Sequence, residues 1–143
     1  MITIEVSQLV HASAVQVCET LLNHQQLDRF FNAKITQVKA QYEGELPGGK
    51  GAVRQIEIGK IVFKEQIINA SHEHICYRII GKGPVSNHQG DIQLTPVGNE
   101  KNATQLDYMI KFCAPKWLPS FILKFIVGRD INKAMQKLAE HFS

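Results

Sequence analysis

The side chains best able to do chemistry are placed by a turn at Gly59-Lys60. Glycine in the first central position of a two-residue loop suits a type II′ hairpin, and closing the chain there pairs Ile58 with Ile61. The register then sets Ile56 against Phe63, Arg54 against Glu65 and Ala52 against Ile67. Side chains alternate between the two faces of a strand. These residues therefore share one face, which is apolar except for a guanidinium and a carboxylate, while Val53, Gln55, Glu57, Val62, Lys64 and Gln66 share the other. A desolvated charge is costly alone, so Arg54 and Glu65 are expected to pair. The pair either forms an ion pair in the wall or orients a carboxylate, phosphate or carbonyl of a ligand.

The same alternation turns three more polar side chains inward. Tyr77 shares a face with Ile75 and Ile79, His88 with Gly90, Ile92 and Leu94, and Tyr108 with Leu106, Ile110 and Phe112. Buried Tyr and His need partners. They are either satisfied core groups or, with Arg54 and Glu65, the few convergent polar groups of an apolar ligand site. The expected ligand-contacting set is Arg54, Ile56, Phe63, Glu65, Tyr77, His88, Tyr108, Phe112, Phe121 and Phe125. If the site is catalytic, His88 and Glu65 are the candidate proton movers, because each can titrate near neutrality when buried. Tyr77, Tyr108 or Arg54 would then stabilise an enolate. That is aldol or dehydration chemistry, and it calls for no metal and no cofactor.

The elements that must hold these residues follow from periodicity. Residues 2–10 alternate, with Ile2, Ile4 and Val6 on one face, and read as a first strand. Ser13 and Gln16 form a capping box, followed by Ala14, Val17, Cys18, Leu21 and Leu22 at helical spacing. A second short helix is expected at 27–31. The period then changes to alternation, giving strands at 35–43, 51–58, 61–68, 74–81, 86–95 and 104–113. Their breakers are Pro47-Gly48-Gly49, Gly59-Lys60, Asn69 to His72, Gly83-Pro84, and Pro96 to Asn102. Short polar turns make an antiparallel meander the default. Pro119 opens a long helix reaching Phe142, with Phe121, Phe125, Ile131, Met135, Leu138 and Phe142 as one stripe. At 1.5 Å per residue that helix spans about 35 Å and must lie across the sheet to bury the stripe.

The chain has 143 residues, 44% apolar and 20% charged, which suits one globular domain over 1–143 with a real core. A net charge of +3 with no basic run gives no support for nucleic-acid binding. The N-terminus lacks a secretory pattern, no apolar run approaches the about 18 residues of a membrane span, and Cys18, Cys76 and Cys113 are odd in number and far apart. Reduced thiols in the cytoplasm are the expectation. The sequons at Asn69 and Asn102 then carry no meaning.

Other signals have bland readings. Pro47-Gly48-Gly49-Lys50-Gly51 lacks the Gly-Lys-Ser/Thr ending of a phosphate loop and reads as a turn. His72, His74 and Cys76 alternate as zinc ligands can, but no fourth ligand accompanies them, so no metal is expected. His11, His24 and His141 are expected at the surface. Residues 117–127 are apolar all round. They are expected to pack between the sheet and the first helices; the alternatives are transient membrane contact, with Lys116 and Lys124 near headgroups, or a dimer patch. Either a monomer or a homodimer is compatible with this pattern.

The order of strand, two short helices, six strands and long helix resembles the helix-grip fold of the START-like (SRPBCC) superfamily, especially its polyketide cyclase/dehydrase and lipid-transport branch. The resemblance covers nearly the whole chain. It is carried by Leu46-Pro47-Gly48-Gly49-Lys50-Gly51-Ala52-Val53-Arg54, Lys64-Glu65-Gln66-Ile67, Tyr77-Arg78-Ile79-Ile80-Gly81-Lys82-Gly83-Pro84 and Gly90-Asp91-Ile92-Gln93-Leu94-Thr95-Pro96. Ala103-Thr104 stands where many members carry Gly-Thr. The resemblance implies an α+β fold, a seven-stranded curved antiparallel sheet around the C-terminal helix. Its members include ligand carriers, lipid-transfer proteins, cyclases, hydrolases and co-chaperone domains, and the fold does not choose among them. The expectation for this chain is binding or transport of a small apolar ligand such as a lipid, isoprenoid or polyketide-like aromatic, with a cyclase/dehydratase-like enzyme and a co-chaperone-like interaction domain as the alternatives.

Overall fold

Each strand expected from alternation forms, in the computed structural model, which describes residues 1–98 and 102–143. The order is β1 (Ile2–Val10), α1 (Ala14–Leu22), a 3-10 helix (His24–Arg29), β2 (Lys34–Lys39), β3 (Val53–Ile58), β4 (Ile61–Ala70), β5 (His74–Ile80), β6 (Ser86–Pro96), β7 (Thr104–Cys113) and α2 (Ser120–His141). The expected turn from Pro96 to Asn102 lies partly outside the described residues. All strands join one antiparallel seven-stranded sheet in the order β1-β7-β6-β5-β4-β3-β2. β1 is brought beside β7 at one edge, and the remainder is a meander.

The capping box at Ser13 is present: its hydroxyl accepts from the Gln16 amide at 3.2 Å, and the Gln16 side chain accepts from the Ser13 amide at 3.1 Å. The Gly59 turn closes as expected, with Gly59 at φ +60°, and β3 meets β4 with Arg54 opposite Glu65, Ile56 opposite Phe63 and Ile58 opposite Ile61. Register shifts between Gln37 and Lys39, Ile67 and Asn69, and Ser86 and Gln89 interrupt three of the ladders. Such irregularities bend the strand and raise its twist, which curls the sheet around α2.

Helix α2 packs against β1 and buries Ile131, Ala134, Met135 and Leu138, with Leu123, Val127 and Phe142 partly covered. The expected stripe is therefore right in its C-terminal half and wrong in its first turns. Phe121 and Phe125 are 74% and 68% exposed. Six residues at about 100° each carry Phe125 roughly 240° around the axis from Ile131. Leu123 and Val127 keep the phase of the buried residues. Trp117 is 81% exposed, so of the apolar segment 117–127 only part, Leu123 and Val127, packs on the core, while Trp117, Phe121 and Phe125 stand in solvent.

Candidate functional site

Between α2 and the concave face of the sheet lies a cavity of about 390 Å³. Ile56, Phe63 and Phe112 belong to its apolar wall, and Arg54, Glu65, Tyr77, His88 and Tyr108 all reach it, as expected from their strand faces. Phe121 and Phe125 do not; their rings point outward.

The polar groups form one connected cluster. Arg54 donates from both Nε and Nη2 to Glu65 Oε1, each at 2.8 Å, and its Nη1 lies 3.4 Å from His24 Nδ1. The guanidinium also stands over the Tyr77 ring, 4.6 Å from its centroid. The Tyr77 and Tyr108 hydroxyls are hydrogen-bonded to each other. Burial raises the pKa of both phenols, so they are neutral hydrogen-bonding groups.

His24 corrects the expectation of a surface histidine: it is 1% exposed. Its Nε2 stands 2.8 Å from the Gly48 carbonyl, which can only accept, so that nitrogen carries the proton and Nδ1 faces Arg54 as an acceptor. Burial, with the neighbouring Arg54 charge, lowers its pKa to about 4. The missed signal is a period of three. In a 3-10 helix residues i and i+3 eclipse, so His24, Leu27 and Phe30 share the buried face. His24 explains part of the glycine-rich loop as well. At Gly48, with φ +73°, a Cβ would collide with the Leu22 carbonyl oxygen and crowd the His24 ring.

His88 has a defined tautomer too. Its Nδ1 accepts the Ile79 amide at 3.1 Å, leaving the proton on Nε2, which points toward Glu65 Oε2 at 3.8 Å. Burial lowers the His88 pKa against the opposing effect of Glu65, so the ring is a neutral donor. Neither Glu65 Oε2 nor His88 Nε2 makes a direct hydrogen bond among the described residues. Neither is a sealed, unsatisfied atom, so both open onto the cavity. An acceptor and a donor thus flank one gap.

The remaining candidates lie elsewhere. His74 Nε2 pairs with Asp91 Oδ1 at 2.8 Å, while His72 is exposed in the preceding turn. Among the described residues no three His, Cys, Asp or Glu side chains converge as metal ligands do. Cys18 donates to the Ser71 carbonyl, and burial pushes its thiol up to about 11. His11 and His141 are exposed. No helix among the described residues is long and apolar enough to cross a membrane.

Comparison with solved structures returns the same fold at low identity. A START superfamily protein from Mycobacterium smegmatis superposes with a TM-score of 0.80 at 14% identity, over 98% of this chain and 96% of that one. The di-domain ARO/CYC protein BexL of the BE-7585A biosynthetic pathway matches with a TM-score of 0.72 at 14% identity, over 98% of this chain and 46% of BexL. Norcoclaurine synthase from Thalictrum flavum matches with a TM-score of 0.62 at 16% identity, over 99% of this chain and 96% of the synthase. At such identities the likeness is one of fold. Among curated proteins none matches the sequence. The family model for polyketide cyclase / dehydrase and lipid transport matches residues 1–143. A family match along the whole length makes the chain a member of the polyketide cyclase/dehydrase and lipid transport family, and its sheet and long helix have the helix-grip fold.

Proposed function

We propose that the protein binds, and carries, a small, neutral, mainly apolar molecule in the cavity under α2, with one oxygen of the ligand turned toward Glu65 and His88. The observation that carries this reading is an apolar-walled cavity of about 390 Å³ whose buried charges already compensate each other. That volume lies within the range of about 300–1,000 Å³ typical of small-molecule sites. All three Arg54 nitrogens face protein partners, so a ligand carboxylate would have to displace Glu65 or His24. A hydroxyl faces no such cost. Seated in the cavity beside the pair Glu65 Oε2 and His88 Nε2, off the 3.8 Å line that joins them, it donates to the first and accepts from the second. A hydroxylated lipid, isoprenoid or polyketide-like aromatic fits these requirements.

Cyclase or dehydratase chemistry is less well supported. Protonating His88 would set a new N–H against the Ile79 amide, and protonating Glu65 would strip Arg54 of its counter-charge. A co-chaperone-like role would place function on the outer surface and leave the cavity without a purpose. The test is a matched ligand pair, 2-naphthol and 2-methoxynaphthalene, measured by calorimetry on the wild type and on Glu65→Gln, in which the amide oxygen can keep the Arg54 hydrogen bonds while the amide nitrogen replaces the acceptor that only the free hydroxyl can use. The reading expects the wild type to prefer the free hydroxyl by about tenfold, the size of a net hydrogen bond to a charged group, and expects that preference to vanish in the variant. Equal affinities in the wild type would remove the hydroxyl from the assignment.

A further inference from the structure

We propose that the mouth of the cavity docks on an anionic lipid surface through three loops, each combining apolar side chains with exposed lysine and carrying no carboxylate. The inference rests on the cavity-binding reading above and identifies the source of its ligand as a membrane.

The first loop is the β3–β4 hairpin tip, residues 58–64, where Ile58 and Ile61 are exposed and also line the cavity, with Lys60 in the turn beside them and Lys64 exposed on the opposite face of β4. The second is the β5–β6 connection, residues 79–88, where Pro84 and Val85 line the cavity and Lys82 is exposed. The third runs from residue 113 into the first turns of α2, to residue 129. Trp117 and Ile126 reach the cavity while the rings of Trp117, Phe121 and Phe125 stand in solvent, flanked by Lys116 and Lys124.

Charge distribution separates this face from the rest of the chain. Asp and Glu number 13 against 16 Lys and Arg overall, yet none falls within 58–64, 79–88 or 113–129. The three flanking carboxylates have their own cations: Glu57 lies 3.8 Å from Lys34, Glu65 2.8 Å from Arg54, and Asp130, which also lines the cavity, 3.5 Å from Arg129. A second copy of the chain would cover the aromatic rings only by facing lysine with lysine, which like-charge repulsion opposes. An anionic bilayer satisfies both features at once. Aromatic and aliphatic side chains enter the headgroup boundary, and each lysine near the surface adds about fivefold to the partition coefficient. Because the same three loops frame the cavity, docking brings its mouth against the bilayer, and an apolar ligand moves between them without crossing water.

Trp117 is the sole tryptophan, so its emission reports the contact directly. The experiment titrates the full chain with vesicles of phosphatidylcholine plus phosphatidylglycerol, and with phosphatidylcholine alone, following Trp117 emission and co-sedimentation. A blue shift and sedimentation on the anionic vesicles only, weakened by salt, is the expected result. Lys60→Glu/Lys116→Glu/Lys124→Glu should lower partitioning by more than about tenfold, and Phe121→Ser/Phe125→Ser should do the same with its circular dichroism unchanged. No blue shift on either vesicle overturns the proposal. So does sedimentation of the wild type as a dimer that Phe121→Ser/Phe125→Ser converts to a monomer, because the occupant is then a second copy. Phe121 and Phe125 lie outside the cavity, so 2-naphthol binding by that variant is measured separately. Loss of vesicle binding with 2-naphthol affinity retained locates the effect on the surface, whereas vesicle binding by a wild type that takes up no neutral ligand removes the cavity reading alone.

Discussion

The ring of Tyr77 lies across Gly90, its direct partner on the neighbouring strand, where a Cβ would fall well inside van der Waals contact distance of Tyr77 Cζ. Glycine is therefore the space that lets Tyr77 reach Tyr108 and sit beneath Arg54. Gly90→Ala should push the ring off this position and cost about 1–3 kcal/mol, the usual cost of overpacking. Urea denaturation followed by circular dichroism measures it. Adding Tyr77→Leu should recover part of the loss, because the two changes act through one contact. Strict additivity would mean that the ring does not depend on Gly90.

Arg54 and Glu65 form a buried pair in which each side chain is about one-tenth exposed. Removing one partner leaves an uncompensated charge, so Arg54→Ala should destabilise the fold by about 3–5 kcal/mol. Arg54→Met/Glu65→Leu removes both charges while keeping the volume, and should unfold within about 1 kcal/mol of the wild type. A neutral Arg54→Ala with weakened ligand binding would assign the guanidinium to the ligand instead.

Acid should destabilise the protein through His24. Its folded pKa, about 4, lies below the ordinary value of 6.5 because burial and Arg54 disfavour the charged ring. The unfolded chain therefore binds the proton first. Stability is intact above about pH 6.5 and falls as the pH drops toward 4, by about 2 kcal/mol between pH 7 and pH 5. His88, also lowered, adds to the loss with the same sign. Urea midpoints at the two pH values check the slope. His24→Gln keeps a donor for the Gly48 carbonyl and should flatten it, whereas an unchanged slope would place the titrating group elsewhere.

How far the sequence was legible depended on whether a local rule decided the geometry. The Gly59 turn set the β3–β4 register, and with it the Arg54–Glu65 pairing, because side-chain alternation admits no intermediate phase. Tyr77, His88 and Tyr108 followed from the same alternation. His24 escaped because the short helix was expected to begin at Leu27, so its three-residue period was cut off before the histidine. Its partner, Gly48, is also remote in sequence. Phe121 and Phe125 were misplaced because the start of α2 is apolar on every side, so hydrophobicity alone allows more than one phase. The contact with β1 selects the one carrying Leu123 and Val127 inward. The size of the cavity was not legible at all, since it depends on how far α2 stands from the sheet.

The central claim is that the cavity holds a neutral apolar molecule, and native mass spectrometry of freshly purified protein tests it most directly. The wild type should carry a discrete small mass that is released on denaturation, or take up 2-naphthol when it is supplied. Ile56→Trp, which projects an indole from β3 into the cavity, should keep the circular dichroism of the wild type and lose both. A wild type that neither carries nor takes up such a molecule, or an Ile56→Trp protein that binds as well as the wild type, would contradict the account.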